Sequence, residues 1–223
     1  LRLSGLIPSG FEAVIDGNLN LGAGLSSSAA VEMATALALQ NIFKFAMPRT
    51  DIAVLCQRVE HRYAGVMCGI MDQFASGLGR ANHALMLDCR SLSYVDIPLT
   101  LGDHRIVIIS SQVKRELASS AYNERRAQCE EGVTLFQQYD PSVQALRDVT
   151  LDQVNAHASE LSDIVRRRCS HVVSENMRVL NASAALGAGD LEELGALMNA
   201  SHQSLRSDLS LIHISEPTRP LYI

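Results

Sequence analysis

The chain has 223 residues, 47% hydrophobic and 19% charged, a composition of globular proteins and not of disordered or fibrous ones. Its net charge is −5, and its only short basic run, Arg166-Arg167-Arg168, suits a solvated helix face; without a basic stripe, no nucleic-acid partner is expected. No segment approaches the ~18 apolar residues of a membrane span, and the first residues follow no signal-peptide pattern, so no membrane partner is expected either.

Phe11 to Leu21 reads as a strand, with Phe11, Ala13 and Ile15 alternating against Glu12, Val14 and Asp16. A glycine-rich turn, Gly22-Ala23-Gly24-Leu25, leads into Ser26-Ser27-Ser28 and a run of helix formers reaching Phe43, with Val31, Ala34, Leu37 and Ala38 on one face. Pro48 and Thr50 open a second helix, Thr50 as its N-cap, with Ile52, Leu55, Val59 and Tyr63 as the apolar stripe and Gly65 as the stop. A shorter helix is predicted over Ile70 to Leu78, and paired strands over His83 to Cys89 and Ser93 to Leu99. The continuous apolar run within Arg105 to Ser110 predicts a strand buried on both faces. Helices follow over Ser120 to Tyr139, Leu151 to Glu160, Ile164 to Leu186 and Leu191 to Leu205. Strands early and helices late predict an α+β fold and not a doubly wound sheet, with a domain boundary near Leu101 to Asp103.

Cys56, Cys68, Cys89, Cys129 and Cys169 are odd in number and scattered, with no CxxC pair and no zinc spacing. Reduced thiols in a cytoplasmic protein are the expectation. None of the seven histidines has a partner at metal or triad spacing, and His61, His83, His171 and His202 read as structural. The loop serines are not hydrolase nucleophiles, because GxSxG does not occur there.

A strand, a glycine turn and three serines at a helix start can bind an anion. The first amides of a helix lack intrahelical partners, and the helix dipole favours negative charge there. Gly22 and Gly24 let backbone approach a phosphate; the serine hydroxyls add donors and a hard oxygen for magnesium. The loop is not GxxxxGK[ST] and lacks the third glycine of GxGxxG. On these residues alone, phosphate binding and an ordinary helix start capped by Ser26 or Ser27 both stay open.

The run Gly22-Ala23-Gly24-Leu25-Ser26-Ser27-Ser28-Ala29-Ala30 resembles the second signature motif of the GHMP small-molecule kinases, whose loop wraps the ATP phosphates; Asn20 departs where that family usually has proline. Cys68-Gly69-Ile70-Met71-Asp72-Gln73 resembles the CGIMDQ segment of the galactokinase branch, and His83 to Leu92 its HALLIDCRSL strand. Ser119 to Glu130 is similar to its SSEYNxRRxQCE segment, with Ala121 in place of glutamate, and Ser201 to Arg206 continues the likeness. The resemblance covers Phe11 to Ser210. It implies a two-domain GHMP kinase fold, truncated at both ends, that moves the γ-phosphate of ATP onto the anomeric hydroxyl of galactose. Residues 1–101 would be part of the N-terminal ATP-binding domain and 102–210 part of the C-terminal domain.

By that resemblance, Gly22, Ala23, Gly24, Leu25, Ser26, Ser27 and Ser28 bind ATP. Asp72 is the catalytic carboxylate beside the sugar's C1 hydroxyl, Tyr122 and Gly69 lie against the sugar, and Ser28 and Glu60 hold Mg2+. Taken singly, Asp72 would be a helix-start acid, Tyr122 a core aromatic and Gly69 a helix-entry glycine. Glu60 reads as a solvated acid, or as an anion in a last helical turn whose conflict with the dipole a cation would relieve. Alternatives on the same fold are another sugar kinase, for N-acetylgalactosamine or arabinose, or a non-catalytic galactose- and ATP-binding regulator. The family's GExxDY-like motif and GGGFGG-type loop do not occur in the chain, so it is expected to be an internal fragment that exposes sheet edges and lacks useful kinase activity by itself. Residues 211–223 resemble a translated sequencing adapter and are expected to be a non-native tail.

Overall fold

A computed structural model of the chain describes residues 9–19, 25–108 and 118–209, the side chains of 118–121 excepted. The architecture is α+β. In chain order it runs α1 (Ser27–Phe43), α2 (Arg49–Val59), α3 (Met71–Leu78), β1 (His83–Leu87), β2 (Tyr94–Pro98), α4 (Ala118–Tyr139), α5 (Leu151–Ala156), α6 (Asp163–Ala188) and α7 (Leu191–Ser207). The chain divides into two compact units, Leu1–Pro98 and Leu99–Ile223.

In the first unit, α1, α2 and α3 pack together over a core of Met33, Ala36, Ile52, Ala53, Cys56, Ile70 and Phe74. Leu85 and Leu87 of β1 pack against that core. β1 and β2 pair antiparallel with His83 opposite Pro98 and Leu87 opposite Tyr94. Their connection is tied by Asp88, whose Oδ1 accepts from the amides of Arg90 (2.8 Å) and Ser91 (3.1 Å). The α2 helix ends at Val59 and widens into a single π turn, Glu60–Ala64, which Gly65 terminates at φ +70°, a conformation that glycine adopts without steric cost.

In the second unit, α4, α5 and α6 enclose Phe136, Val143, Leu146, Val149, Val154, Val165, Cys169 and Val173. The helix starts follow their sequence signals. Thr150 caps α5 in a capping box with Gln153, Ser162 caps α6 and Asp190 caps α7. The α6 and α7 helices are joined by buried polar groups: His171 lies 2.9 Å from Ser204 Oγ, which donates to Asp208 Oδ2 at 2.8 Å.

Several expectations are corrected. Residues 11–19 form no strand and are exposed, and residues 105–108 form none either, with Ile106, Val107 and Ile108 at 67%, 73% and 65% exposure. A strand needs a neighbour to pair with, and the described residues contain a single two-stranded sheet that includes neither segment. Leu21, Ile109 and Ser110 lie outside the described residues. On α1 the buried face is Ala29, Met33, Ala36 and Leu39, whereas Val31, Ala34 and Ala38 point outward. That helix is apolar around most of its circumference, so spacing alone does not select a face. The α2 helix buries Ile52, Ala53 and Cys56, leaves Val59 and Tyr63 exposed, and has Pro48 in place of Thr50 at its N-cap.

Candidate functional site

The start of α1 carries three serines, yet none caps it. Ser26 occupies the cap position in a left-handed conformation (φ 54°) that any side chain adopts only under strain, and it makes no side-chain bond to the helix amides. Its carbonyl accepts the Ala30 amide at 3.0 Å, which commits the chain to helix. No acidic residue sits in the first turn. Among the described residues, then, the first amides of α1 have no side-chain acceptor, in contrast to the capped starts of α5, α6 and α7. Leu25, Ser26, Ser27 and Ser28 belong to this start; Gly22, Ala23 and Gly24 lie outside the described residues.

One turn further along α1, on the face of Ser28, stands Glu32. Its carboxyl is pushed up from the ordinary 4.5 to about 7, first by burial and then by the charge of Glu60, with the Gln73 amide opposing the shift. Glu60 is the first residue of the π turn and Asp72 lies in the first turn of α3, where the helix dipole favours a carboxylate. The thiol of Cys68 is raised by burial, lowered by a hydrogen bond with Gln73, and raised again by the fields of Glu60, Asp72 and Glu32. Three carboxylates, from α1, the end of α2 and the start of α3, thus act electrostatically on one half-buried residue of the α2–α3 loop.

That loop is held from α2. The Cys68 carbonyl accepts from Gln57 Nε2 at 3.1 Å and lies 2.9 Å from His61 Nε2. Gly69 follows with open space around it: an added Cβ would meet nothing within 4 Å. Gln73 is 1% exposed, its Nε2 lies 4.0 Å from Cys68 Sγ, and its Oε1 has no hydrogen-bond partner among the described residues. Phe74, fully buried beside it, anchors α3 in the core.

The structure thus brings Glu60, Asp72, Gly69 and the Ser28 face of α1 into the first unit. Tyr122 lies on α4 in the second unit and is exposed. Glu32 and Gln73 of the same unit were not singled out from the sequence. The available signal was Glu32 itself, an acid within an otherwise apolar stretch of α1, one turn from Ser28. Among the described residues no group of three or more His, Cys, Asp and Glu surrounds a common metal position. Ser28 and Glu60 carry hard oxygens, a hydroxyl and a carboxylate, of the kind magnesium accepts.

Residues 1–80 match the family model described as the GHMP kinases N terminal domain. The chain is 47% identical over 208 residues to a galactokinase of Roseiflexus sp. (strain RS-1), a match covering 93% of this chain and 53% of that protein. It is also similar to the crystal structure of Lactococcus lactis galactokinase complexed with galactose, with a TM-score of 0.82 and 35% identity over 92% of this chain and 56% of that one. The chain spans about half the length of the relatives it matches. A family match over residues 1–80, a 47% identical relative aligned over 93% of the chain and a shared fold lead to one placement: the chain belongs to the GHMP kinase family.

Proposed function

We propose that the whole protein to which this chain belongs is a galactokinase, which phosphorylates the anomeric hydroxyl of galactose with ATP, and that it works in the cytoplasm. The observation that carries this reading is the pairing, within one unit, of an uncapped serine-rich helix start with the Asp72 and Glu60 carboxylates around Cys68. Amides at the start of α1, with the loop 22–28, grip the triphosphate; among the described residues no side chain competes with it for them. Ser28 and Glu60 are the oxygen ligands for Mg2+, which when bound neutralises phosphate charge. Asp72 orients the C1 hydroxyl of the sugar and accepts its proton as the hydroxyl attacks the γ-phosphorus. The open space around Gly69 leaves room for the sugar beside Asp72. In this reading residues 1–101 are part of the ATP-binding domain and 102–210 part of the second domain.

The test is turnover of ATP and galactose by the whole protein and its Asp72→Ala variant. The expected result is galactose 1-phosphate from the parent and a loss of about 10²–10⁴-fold in kcat for the variant, with ATP affinity within about 3-fold. Turnover of N-acetylgalactosamine or arabinose in place of galactose would overturn the substrate assignment. ATP and galactose binding without any turnover would overturn the enzymatic one.

A further inference from the structure

We propose that His61 and Gln57 are positioning residues: by donating together to the Cys68 carbonyl, they tie the loop that carries Gly69 and leads into Asp72 to the π turn that carries Glu60. The consequence for turnover rests on the galactokinase reading, whereas the tie itself rests on two hydrogen bonds within the first unit.

Gln57 stands near the end of α2, and His61 follows one turn later in the π turn Glu60–Ala64. Their side chains converge on one atom. Gln57 Nε2 donates to the Cys68 carbonyl oxygen at 3.1 Å, and His61 Nε2 lies 2.9 Å from the same oxygen. A carbonyl only accepts, so the hydrogen between ring and carbonyl sits on Nε2, and the two donors occupy both lone pairs of that oxygen. A half-buried loop carbonyl can be satisfied by water or by one partner. What the second donor adds is direction.

The tie falls next to the site residues. The Cys68 carbonyl belongs to the planar peptide whose nitrogen is that of Gly69, so fixing its direction fixes where Gly69 stands. On the other side of Gly69, Ile70 is buried in the core, and its carbonyl accepts the Phe74 amide at 3.1 Å to close the first turn of α3. Gly69 is thus held at both neighbours, and Asp72 lies within the turn so closed. At the other end of the tie, His61 directly follows Glu60, so the same bond restrains the turn that carries that carboxylate. Single π turns recur at functional sites. Phosphoryl transfer is sensitive to such settings, since misplacement by about 1 Å can cost about 10² in rate.

The tie predicts a pattern of replacements. Glutamine at position 61 carries an amide nitrogen that can take the place of the ring Nε2 as a donor. Alanine at 61 leaves Gln57 as the one side-chain donor, and alanine at both positions leaves the carbonyl to water.

The experiment compares His61→Ala, His61→Gln and the double variant Gln57→Ala/His61→Ala in the whole protein. Val54→Ala is the control, because it trims a side chain packed on the core from the same helix without touching the carbonyl. Expected is a fall in kcat of about 10-fold for His61→Ala and about 100-fold for the double variant, with KM for ATP within about 3-fold in both. His61→Gln is expected to keep kcat within about 3-fold, and Val54→Ala to lower the melting temperature without the kcat loss. Unchanged kcat in the double variant overturns the proposal. So does a loss in His61→Gln equal to that in His61→Ala, which would mean that the imidazole itself is needed, or a loss in Val54→Ala equal to that in the double variant, which would make the effect one of packing. If the parent does not phosphorylate galactose, the functional reading fails separately, and the carbon-13 resonance of the Cys68 carbonyl still decides the tie. That resonance should move upfield in His61→Ala and in Gln57→Ala, as each removes a donor, and further in the double variant. A resonance unmoved in either single variant overturns the tie.

Discussion

Glu32, in the second turn of α1, and Glu60, where α2 gives way to its π turn, stand within electrostatic reach of each other, and Glu32 carries the consequence. With its carboxyl raised from 4.5 to about 7, the folded chain holds a proton between those pH values that the unfolded chain releases. The contribution of this group to stability is therefore present at low pH and is lost as pH rises from about 4.5 through about 7. Thermal melts of the parent and Glu32→Gln at pH 5, 6, 7 and 8 should show the parent losing ground to the variant across that range. Parallel pH dependences would contradict it.

His171 acts in the opposite sense. Burial is the main cause that lowers its pKa from the ordinary 6.5, so the folded chain keeps it neutral while the unfolded chain takes up a proton. Its contribution is present above about pH 6.5 and is lost as pH falls below that value toward the folded pKa. The tautomer also follows. Ser204 has a single hydroxyl hydrogen and spends it on Asp208, so the hydrogen between His171 and Ser204 must sit on Nδ1. Nitrogen-15 spectra at pH 7.5 should show His171 neutral and protonated at Nδ1; a protonated Nε2 with a bare Nδ1 would refute this.

A methyl group at Gly132 of α4 would overlap the sulfur of Cys169 on α6. Gly132→Ala should therefore cost about 1–3 kcal/mol by overpacking, offset in part by about 1 kcal/mol of helix propensity. In a Cys169→Ala background the overlap disappears and the same substitution should stabilise by about 0.5–1 kcal/mol. Urea denaturation of the two single variants and the double variant measures the coupling. Additive effects would show that the two helices do not meet at this point.

Much of the fold was legible because its signals are local. The starts of α5, α6 and α7, the Gly65 stop and the paired strands between His83 and Leu99 each rest on signals within a few residues. Where burial depends on a distant neighbour, the reading failed. Ile106-Val107-Ile108 has the composition of an interior strand, but composition does not supply a pairing partner. The α1 face was misassigned for a related reason: alanines surround that helix, and which of them is buried is decided by Phe74, Ile52 and Cys56 of other helices. At the candidate site, the motifs named Asp72, Glu60 and the serines, whereas Glu32 and Gln73 acquire meaning only when α1 and α3 are brought together.

Hydrogen exchange of the whole protein with and without MgATP, read at the amides of Ser27, Ser28 and Ala29, tests most directly whether the start of α1 holds the nucleotide. Those amides have no intrahelical acceptor and no side-chain cap, so they should exchange freely in the absence of nucleotide and slow by at least about 10-fold when it binds. Protection that appears elsewhere while these three amides remain unprotected would contradict the account.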